Sequence, residues 1–407
     1  MIVQGKGIGY VVTIFTVVLL FGCSDEADDD SLDILRSLPY TSGTASSSES
    51  RSGVVFLDED RTCAGYRLFT APQLGVAEMI DIYGNTVHSW ISTENEYWAR
   101  SVLNQDGELL VIGRYPLGNP QEGIADSTRF VQLLDWNGNS VWRTFIPVHH
   151  DLDFLPDGRI ALLAFRRRLV PEIHPSIDLR DDCILILNPG NEKPDTAHYF
   201  LEAIDNSLSS YPLIDIQPSA LGGSPWIDLF HSNSIEWITN RTDILDDPRF
   251  ENADILVCFR HQDRVAMFDL DNQVVTWAWG GTECISGPHD ASLLDSGNIL
   301  LFDNGLGRKR SRVIEVNPLT DQIEWEYTAD PPESFYTQSK GSAQRLPNGN
   351  TLLAESDNGR AIEVSPDGEI VWEYICPYAL SDGRRSAIVR MTWYPVEMVN
   401  PWILTSD

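Results

Sequence analysis

Two strand patterns alternate along the chain and return about every 50 residues, the spacing of a four-stranded unit in a circular repeat array. The first pattern is a turn containing glycine followed by an apolar strand. It occurs at 105–112, 156–165, 296–302 and 347–353. The second pattern is an apolar strand, a polar turn and a strand that ends in an aromatic residue. It occurs at 79–90, 131–142, 267–279, 313–327 and 361–374, with a weaker copy at 183–200.

The six copies of the second pattern predict an all-β fold, a six-bladed β-propeller with four-stranded blades. A single pair of hairpins cannot bury both of its faces, so each copy must pack against its neighbours. The aromatic residues that end the second pattern are therefore predicted to pack between neighbouring blades. The tryptophans at or near the end of this pattern are Trp90, Trp142, Trp279, Trp325 and Trp372.

Histidines recur at one position of the repeat. His150 and His289 each lie eight residues before a turn glycine, and His231 opens a looser copy between them. Equivalent positions in a closed ring converge on its axis, so three imidazoles from separate blades are predicted to share one site. Strand alternation predicts that the neighbouring His149 points away from this site.

Polar residues occupy comparable positions at the end of the following strand in several copies. They are Arg114, Arg166, Arg260 and Asn304. A guanidinium group combines a fixed positive charge with planar donors that suit sulfate, phosphate or carboxylate oxygens. These side chains are therefore candidate substrate-binding groups. The alternative is that the arginines form surface ion pairs with the many acidic residues of the chain.

Six short motifs, found in order along most of the predicted propeller, resemble those of the bacterial arylsulfate sulfotransferases. They are His149-His150-Asp151, Phe230-His231-Ser232-Asn233-Ser234-Ile235, Cys258-Phe259-Arg260-His261-Gln262-Asp263, Gly287-Pro288-His289-Asp290-Ala291, Leu301-Phe302-Asp303-Asn304-Gly305 and Ala343-Gln344-Arg345-Leu346-Pro347-Asn348-Gly349-Asn350. Members of that family are six-bladed propellers that move a sulfuryl group from one phenol to another without a nucleotide donor. The resemblance implies the same activity here.

The resemblance also implies a role for individual residues. His289 matches the family's nucleophile, which becomes a sulfated histidine intermediate. His231 and Arg260 match groups that bind the sulfuryl oxygens, and His150 matches a further histidine of the active site. The implied substrates are a phenolic sulfate donor and a phenol acceptor, and this scheme requires no metal and no other cofactor. Unlike the best-known members, this chain is expected to have no long folded N-terminal domain, which leaves its oligomeric state open.

Two other functions are compatible with the same repeat, because a propeller fold does not determine an activity. One is a non-catalytic propeller at the outer membrane that binds a protein or a glycan through its channel mouth. The other is a hydrolase that uses water as the acceptor. A purely binding function would make His289 dispensable.

The first residues of the chain predict export and lipidation. A positive start, a short apolar run and the sequence Leu20-Phe21-Gly22-Cys23 predict a lipoprotein signal peptide over 1–22 and a lipid on Cys23. An uncleaved anchor or an ordinary secretory signal is the alternative. Residues 23–51 are acidic and rich in serine, which predicts a flexible tether. The propeller is then expected over 52–407, in a protein located in the cell envelope and held at the outer membrane.

Charge and cysteine content exclude several partners. The formal net charge of −31 disfavours a nucleic acid or an anionic lipid surface, because either would be repelled at long range. An anionic substrate therefore needs local positive groups. Besides Cys23, the expected mature chain has five cysteines, an odd number that leaves at least one thiol without a partner inside the chain. These cysteines form no Cys-x-x-Cys motif, which argues against a zinc site built on thiolates.

Overall fold

The structure is a computed structural model that describes residues 51–115, 126–207, 211–218, 225–239 and 241–404. The expected signal peptide, the expected lipidation site Cys23 and the tether up to residue 50 lie outside these ranges. In chain order the strands are β1 (Gly53–Leu57), β2 (Tyr66–Ala71), β3 (Val76–Ile80), β4 (Thr86–Ile91), β5 (Tyr97–Leu103), β6 (Leu109–Arg114), β7 (Arg129–Leu134), β8 (Ser140–Phe145), β9 (Val148–Phe154), β10 (Ile160–Leu169), β11 (Asp178–Leu187), β12 (Thr196–Tyr199), β13 (Trp226–Asp228), β14 (Ser232–Trp237), β15 (Ile255–Phe259), β16 (Arg264–Asp269), β17 (Val274–Gly280), β18 (His289–Leu293), β19 (Ile299–Asp303), β20 (Arg312–Asn317), β21 (Gln322–Tyr327), β22 (Ser342–Arg345), β23 (Thr351–Glu355), β24 (Arg360–Val364), β25 (Ile370–Ile375) and β26 (Met391–Tyr394). The α-helices are α1 (Phe200–Asp205) and α2 (Val396–Leu404).

These strands form six sheets, which are the blades of a propeller. From the innermost strand outward, blade 1 is β26-β2-β3-β4, blade 2 is β5-β6-β7-β8, and blade 3 is β9-β10-β11-β12. Blade 4 is β14-β15-β16-β17, blade 5 is β18-β19-β20-β21, and blade 6 is β22-β23-β24-β25-β1. Strand β13 adds to blade 3 by pairing in parallel with β11. The predicted six-bladed propeller with four-stranded blades is confirmed, with one extra strand in each of two blades.

Both ends of the described chain close the ring. The C-terminal strand β26 supplies the innermost strand of blade 1, where Tyr394 pairs with Tyr66 of β2. The N-terminal strand β1 pairs with β25 at the outer edge of blade 6. Closure therefore joins residues more than 300 positions apart, and it removes the exposed sheet edges that an open array would have.

Tryptophans form hydrogen bonds between neighbouring blades at the outer rim. At five interfaces the indole Nε1 of the outer strand donates to a carbonyl oxygen in the turn between the third and fourth strands of the next blade. The pairs are Trp90 with Asp135 (3.0 Å), Trp142 with Asn191 (3.1 Å), Trp279 with Asp321 (3.1 Å), Trp325 with Pro366 (3.0 Å) and Trp372 with Ile82 (2.8 Å). Between blades 3 and 4, Asn206 after α1 takes this place by donating to Gln273 O at 3.0 Å. The predicted packing of these tryptophans between blades is confirmed.

The hydrophobic core lies in the wedges between blades. The wedge between blades 3 and 4 is filled by a group of aromatic rings around Phe200 of α1, which lies 5.0 Å from Phe259 and 5.2 Å from Phe268 between ring centroids. Four of the five described cysteines are buried and all five are free thiols, so no disulfide forms among them. Neither described helix has the length and apolar run that crossing a membrane would require.

Candidate active site

The three predicted histidines converge on one face of the ring. His150 lies in β9, His231 directly precedes β14 and His289 begins β18, so each lies in or immediately before the innermost strand of a different, consecutive blade. The rings of His150 and His231 have centroids 4.9 Å apart. His289 interacts electrostatically with both His231 and Arg260. The structure therefore brings together the four residues for which the sequence predicted a catalytic role.

Irregular backbone at the start of these strands aims the side chains. His150 and His231 have φ angles of 57° and 46°, a region that residues other than glycine seldom adopt. Asp290 has a φ of 52°, and the pairing register of all three inner strands shifts nearby. The irregularity corrects one expectation. His149 does not point away from the site, because the Nδ1 atoms of His149 and His150 are 2.6 Å apart.

Hydrogen bonds fix the tautomer of His289. Its Nδ1 lies 2.7 Å from Asn304 Oδ1 and 3.0 Å from Gly287 O. The Asn304 amide is oriented in turn, because its Nδ2 donates to the carbonyl oxygens of Thr337 and Lys340 at 2.8 and 2.7 Å. Both atoms near His289 Nδ1 are therefore acceptors, so Nδ1 carries the proton. The lone pair of the imidazole is then on Nε2.

The surroundings keep His289 neutral. Burial, followed by the positive charge of Arg260, lowers the pKa of His289 well below its usual value of 6.5. The hydrogen bonds to Asn304 and Gly287 oppose this shift without reversing it. A neutral imidazole has the lone pair that a nucleophile needs, and at neutral pH this residue does not have to lose a proton first.

An aspartate orients His231. Asp228 Oδ2 accepts from His231 Nδ1 at 2.5 Å and from Arg180 Nη1 at 3.1 Å. Burial alone would raise the pKa of Asp228, but Arg180 and His231 hold it well below its usual range. Burial lowers the pKa of His231, and Asp228 partly restores it. The pair therefore resembles the carboxylate–imidazole arrangement of general acid–base catalysts.

Arg260 and His261 directly follow β15 and lie beside His231. Both residues are buried. The backbone N–H groups of Arg260 and His261 donate to the carbonyl oxygens of His231 and Phe230. His261 Nδ1 donates to Asp228 O at 2.6 Å, and its ring lies 4.6 Å from that of His231. Two guanidinium groups, Arg180 and Arg260, therefore flank the imidazole cluster.

Three of these side chains have the spacing of metal ligands. One ligand atom from each of Asp228, His231 and His261 lies within 4.8 Å of the other two. The Asp228 carboxylate already accepts from His231 and Arg180, and a divalent cation would meet the positive charges of Arg180 and Arg260. This charge distribution favours an anion over a metal ion.

The three predicted substrate-binding residues have different surroundings. Asn304 holds the nucleophile candidate, as described above. Arg166 forms ion pairs with Asp181 and Glu202 at 2.9 and 2.7 Å, and its side chain is 37% exposed. Arg114 stacks its guanidinium over the Tyr97 ring at 4.2 Å. Contact of either arginine with a substrate stays a prediction.

Several residues of the site had no signal in the repeat. Asp228 belongs to the extra strand β13, and Arg180 pairs with it from β11. Arg390, in the segment before β26, bridges Asp151 Oδ2 at 3.0 Å and Asp290 Oδ1 at 2.9 Å. These two aspartates follow His150 and His289 in the sequence. The His-Asp order in two blades was the signal that could have pointed to a shared partner near the axis.

Fold and site together describe a propeller that brings imidazoles of lowered pKa and guanidinium groups together, a combination whose charge suits an anion. Residues 198–376 match the family model described as arylsulfotransferase (ASST). The matched stretch includes His231, Arg260, His289 and Asn304, whereas His150 lies before it. The match confirms the resemblance to arylsulfotransferases that the motifs predicted.

Other comparisons concern the fold. A comparison with curated proteins gave no match. Among solved structures, the chain is similar to a protein of unknown function from Bacteroides caccae, with 12% identity, a TM-score of 0.46, and coverage of 77% of this chain and 94% of that chain. It is also similar to a streptogramin B lyase, with 11% identity, a TM-score of 0.45, and coverage of 87% and 96%. A third is the Cps50 (Swd1) propeller domain of Myceliophteria thermophila, with 11% identity, a TM-score of 0.42, and coverage of 81% and 87%.

Proposed function

We propose that this protein moves a sulfuryl group from a phenolic sulfate to a phenol acceptor, with His289 as the covalent nucleophile. The observation that carries the proposal is the hydrogen bonding of His289. Its Nδ1 proton is held by Asn304 and Gly287, so the lone pair lies on Nε2 of a neutral ring. The arylsulfotransferase match over the same stretch supports a sulfotransferase-like activity.

The proposed reaction has two steps, each a displacement at the sulfur atom. In the first, Nε2 of His289 attacks the ester sulfur, an N–S bond forms, and the bond between sulfur and the phenolic oxygen breaks. The leaving phenolate keeps the electron pair and takes up a proton. In the second step, the oxygen of another phenol attacks the same sulfur while it loses its proton. The N–S bond breaks, and its electron pair returns to Nε2, which predicts ping-pong kinetics.

The groups around His289 have complementary roles. Arg260 donates to the sulfuryl oxygens, where negative charge collects, and a donor fixed in place before the reaction contributes about 3 to 4 kcal/mol to such a transition state. The leaving phenolate takes its proton from water. His231, whose Nδ1 proton is held by Asp228, has its lone pair on Nε2 and accepts the proton of the incoming phenol in the second step. His150 contacts the ring of His231 and is the third polar side chain beside His289.

We also propose that the protein acts in the cell envelope, held at the outer membrane through a lipid on Cys23. The support is the sequence pattern of the first residues. Replacing Cys23 with alanine in the full chain should move the protein from the membrane fraction to the soluble fraction. Unchanged partition would remove the lipid anchor from the proposal.

The test of the covalent step is intact-mass analysis after incubation with 4-nitrophenyl sulfate and no acceptor. We expect the mass of one added sulfuryl group, mapped to a peptide that contains His289, and steady release of nitrophenol only after phenol is added. His289→Ala should abolish both signals. His198→Ala, which changes a half-buried histidine of β12, is the matched control and should retain them. Turnover in the His289 variant, or a sulfuryl group on another residue, would overturn the assignment. Steady release with water alone would favour a hydrolase.

A further inference from the structure

Three arginines gather beside the candidate active site, between blades 2 and 3. Arg129 begins β7, and its Cα pairs with that of Arg114 at the end of β6. Arg180 approaches from blade 3, and both Arg180 and Arg114 interact electrostatically with Arg129. The guanidinium groups of Arg129 and Arg180 lie 5.4 and 4.6 Å from the centroid of the Phe165 ring. A concentration of positive charge therefore borders the site in a protein with a net charge of −31.

Two of these arginines form no ion pair with a carboxylate among the described residues, although Asp126 attracts Arg129 electrostatically. Arg180 pairs with Asp182 and Asp228 at 2.9 and 3.1 Å. Within the described ranges, Arg114 and Arg129 form no comparable ion pair, and the buried Nε of Arg129 has no hydrogen-bond acceptor. Burial and the positive charges of Arg180 and Arg114 lower the pKa of Arg129 to about 9. A cation that is held among other cations and partly withdrawn from water is costly unless an anion joins it.

Arg129 adjoins the histidine cluster of the candidate active site. Arg129 Nη1 donates to Val148 O at 3.2 Å, one residue before His149. After burial, the charges of Arg180 and Arg129 are the main causes that lower the pKa of His149. His149 contacts His150, which interacts electrostatically with His289. A ligand group bound at Arg129 would therefore lie beside the reaction site on the blade 3 side.

We propose that Arg114 and Arg129 form a second anion subsite, which binds a carboxylate or a second sulfate carried by the aromatic substrate. This inference rests on the proposed function. Each arginine offers donors with the geometry of a carboxylate or sulfate. The overall negative charge of the protein repels such a substrate at long range, so local cations are needed to hold it. The subsite selects phenols with an additional anionic group over neutral phenols.

The experiment compares charged and neutral substrates on both sides of the reaction. The donors are 4-nitrophenyl sulfate and 4-carboxyphenyl sulfate, and the acceptors are phenol and 4-hydroxybenzoate. Arg129→Gln should raise KM for whichever carboxylated substrate uses the subsite by about 10-fold or more, the size expected for a lost charge-assisted hydrogen bond. It should leave kcat/KM for the neutral pair within about twofold. Arg129→Lys, which keeps the charge, should restore part of the loss.

Two further variants make the result unambiguous. Arg114→Gln repeats the test at a half-buried position, in case Arg129→Gln fails to fold. Arg159→Gln removes an exposed arginine paired with Asp157 in the turn before β10, and it should change no KM value. Equal loss for charged and neutral substrates, or no preference for a carboxylate in the unchanged protein, would overturn the subsite while leaving the transferase intact. Absence of any transfer with all four substrates would instead sink the proposed function.

Discussion

The outer rim and the histidine-bearing face of the propeller use the same repeat in opposite ways. At the rim, five blades place a tryptophan on the fourth strand, at one of two positions two residues apart, and each indole donates to a carbonyl oxygen in the corresponding turn of the next blade. On the histidine-bearing face, the side chains vary from blade to blade. Ala99, His150, His289 and Gly341 lie eight residues before a turn glycine, whereas His231 lies in the looser copy. Repetition stabilises the ring, and departure from repetition supplies the chemistry.

Gly341 shows how closely blades 5 and 6 approach each other beside the site. Its φ is 116°, and an added Cβ would lie 2.6 Å from the ring of Phe302. A glycine is required there, because blade 6 must pass close to the strand that follows His289. Blade 6, which carries no catalytic candidate, therefore still packs directly against the blade of His289.

The largest effect that would sharpen this comparison is expected at Asn304. Asn304→Ala removes the acceptor that holds the Nδ1 proton of His289, so the ring can adopt the unproductive tautomer or orientation. We expect kcat to fall about 10²- to 10³-fold. This is less than the roughly 10⁴-fold loss that follows when a catalytic histidine is held in the wrong tautomer, because Gly287 O still accepts from Nδ1. Steady-state kinetics with 4-nitrophenyl sulfate and phenol would measure it.

Asn298→Ala is the matched control for that change. Asn298 is also buried and in the same blade, but it lies in the turn between β18 and β19, at the far end of β18 from His289, where it binds Glu315 and Glu324. Its loss should lower the stability of the fold and leave kcat unchanged. A similar fall in kcat for both variants would show that blade 5 responds as a whole, and the contrast between rim and site would fail.

A second, smaller effect is expected at the rim. Trp372→Phe removes the indole N–H that binds Ile82 across the ring closure and leaves a small void. We expect the free energy of unfolding to fall by about 1 to 3 kcal/mol, from the lost hydrogen bond and the lost packing. Denaturant unfolding would measure this change, with kcat of the folded protein unaffected. Trp325→Phe, at a half-buried rim position, should lower the free energy of unfolding by less. Equal losses for the two variants would contradict a contribution of burial to the stability of the rim.

The repeat explains which features the sequence could predict. The six blades, the packing of Trp90 and Trp372, and the meeting of His150 with His231 all follow from similar residues that recur in successive copies of the repeat. The ring closure by β26 and β1 and the Asp228 partner of His231 lie in segments with no repeat. The contact between His149 and His150 depends on a left-handed backbone angle, which strand alternation does not anticipate.

The smallest effect concerns pH, and it distinguishes His289 from an exposed histidine. Only the neutral imidazole can attack sulfur, so kcat/KM for the donor falls as the pH drops through the pKa of His289 in the free enzyme. Burial and Arg260 lower this pKa well below 6.5, so we expect kcat/KM to stay constant from pH 8 down through 6.5 and to fall only at lower pH. Arg260→Gln removes a positive neighbour that disfavours protonation, so the acid limb should move upward towards 6.5, only in part because burial remains. Trp372→Phe should leave the limb in place. A midpoint at 6.5 in the unchanged protein would mean that His289 is solvated like a surface residue, and the distinction between rim and site would then have no electrostatic basis.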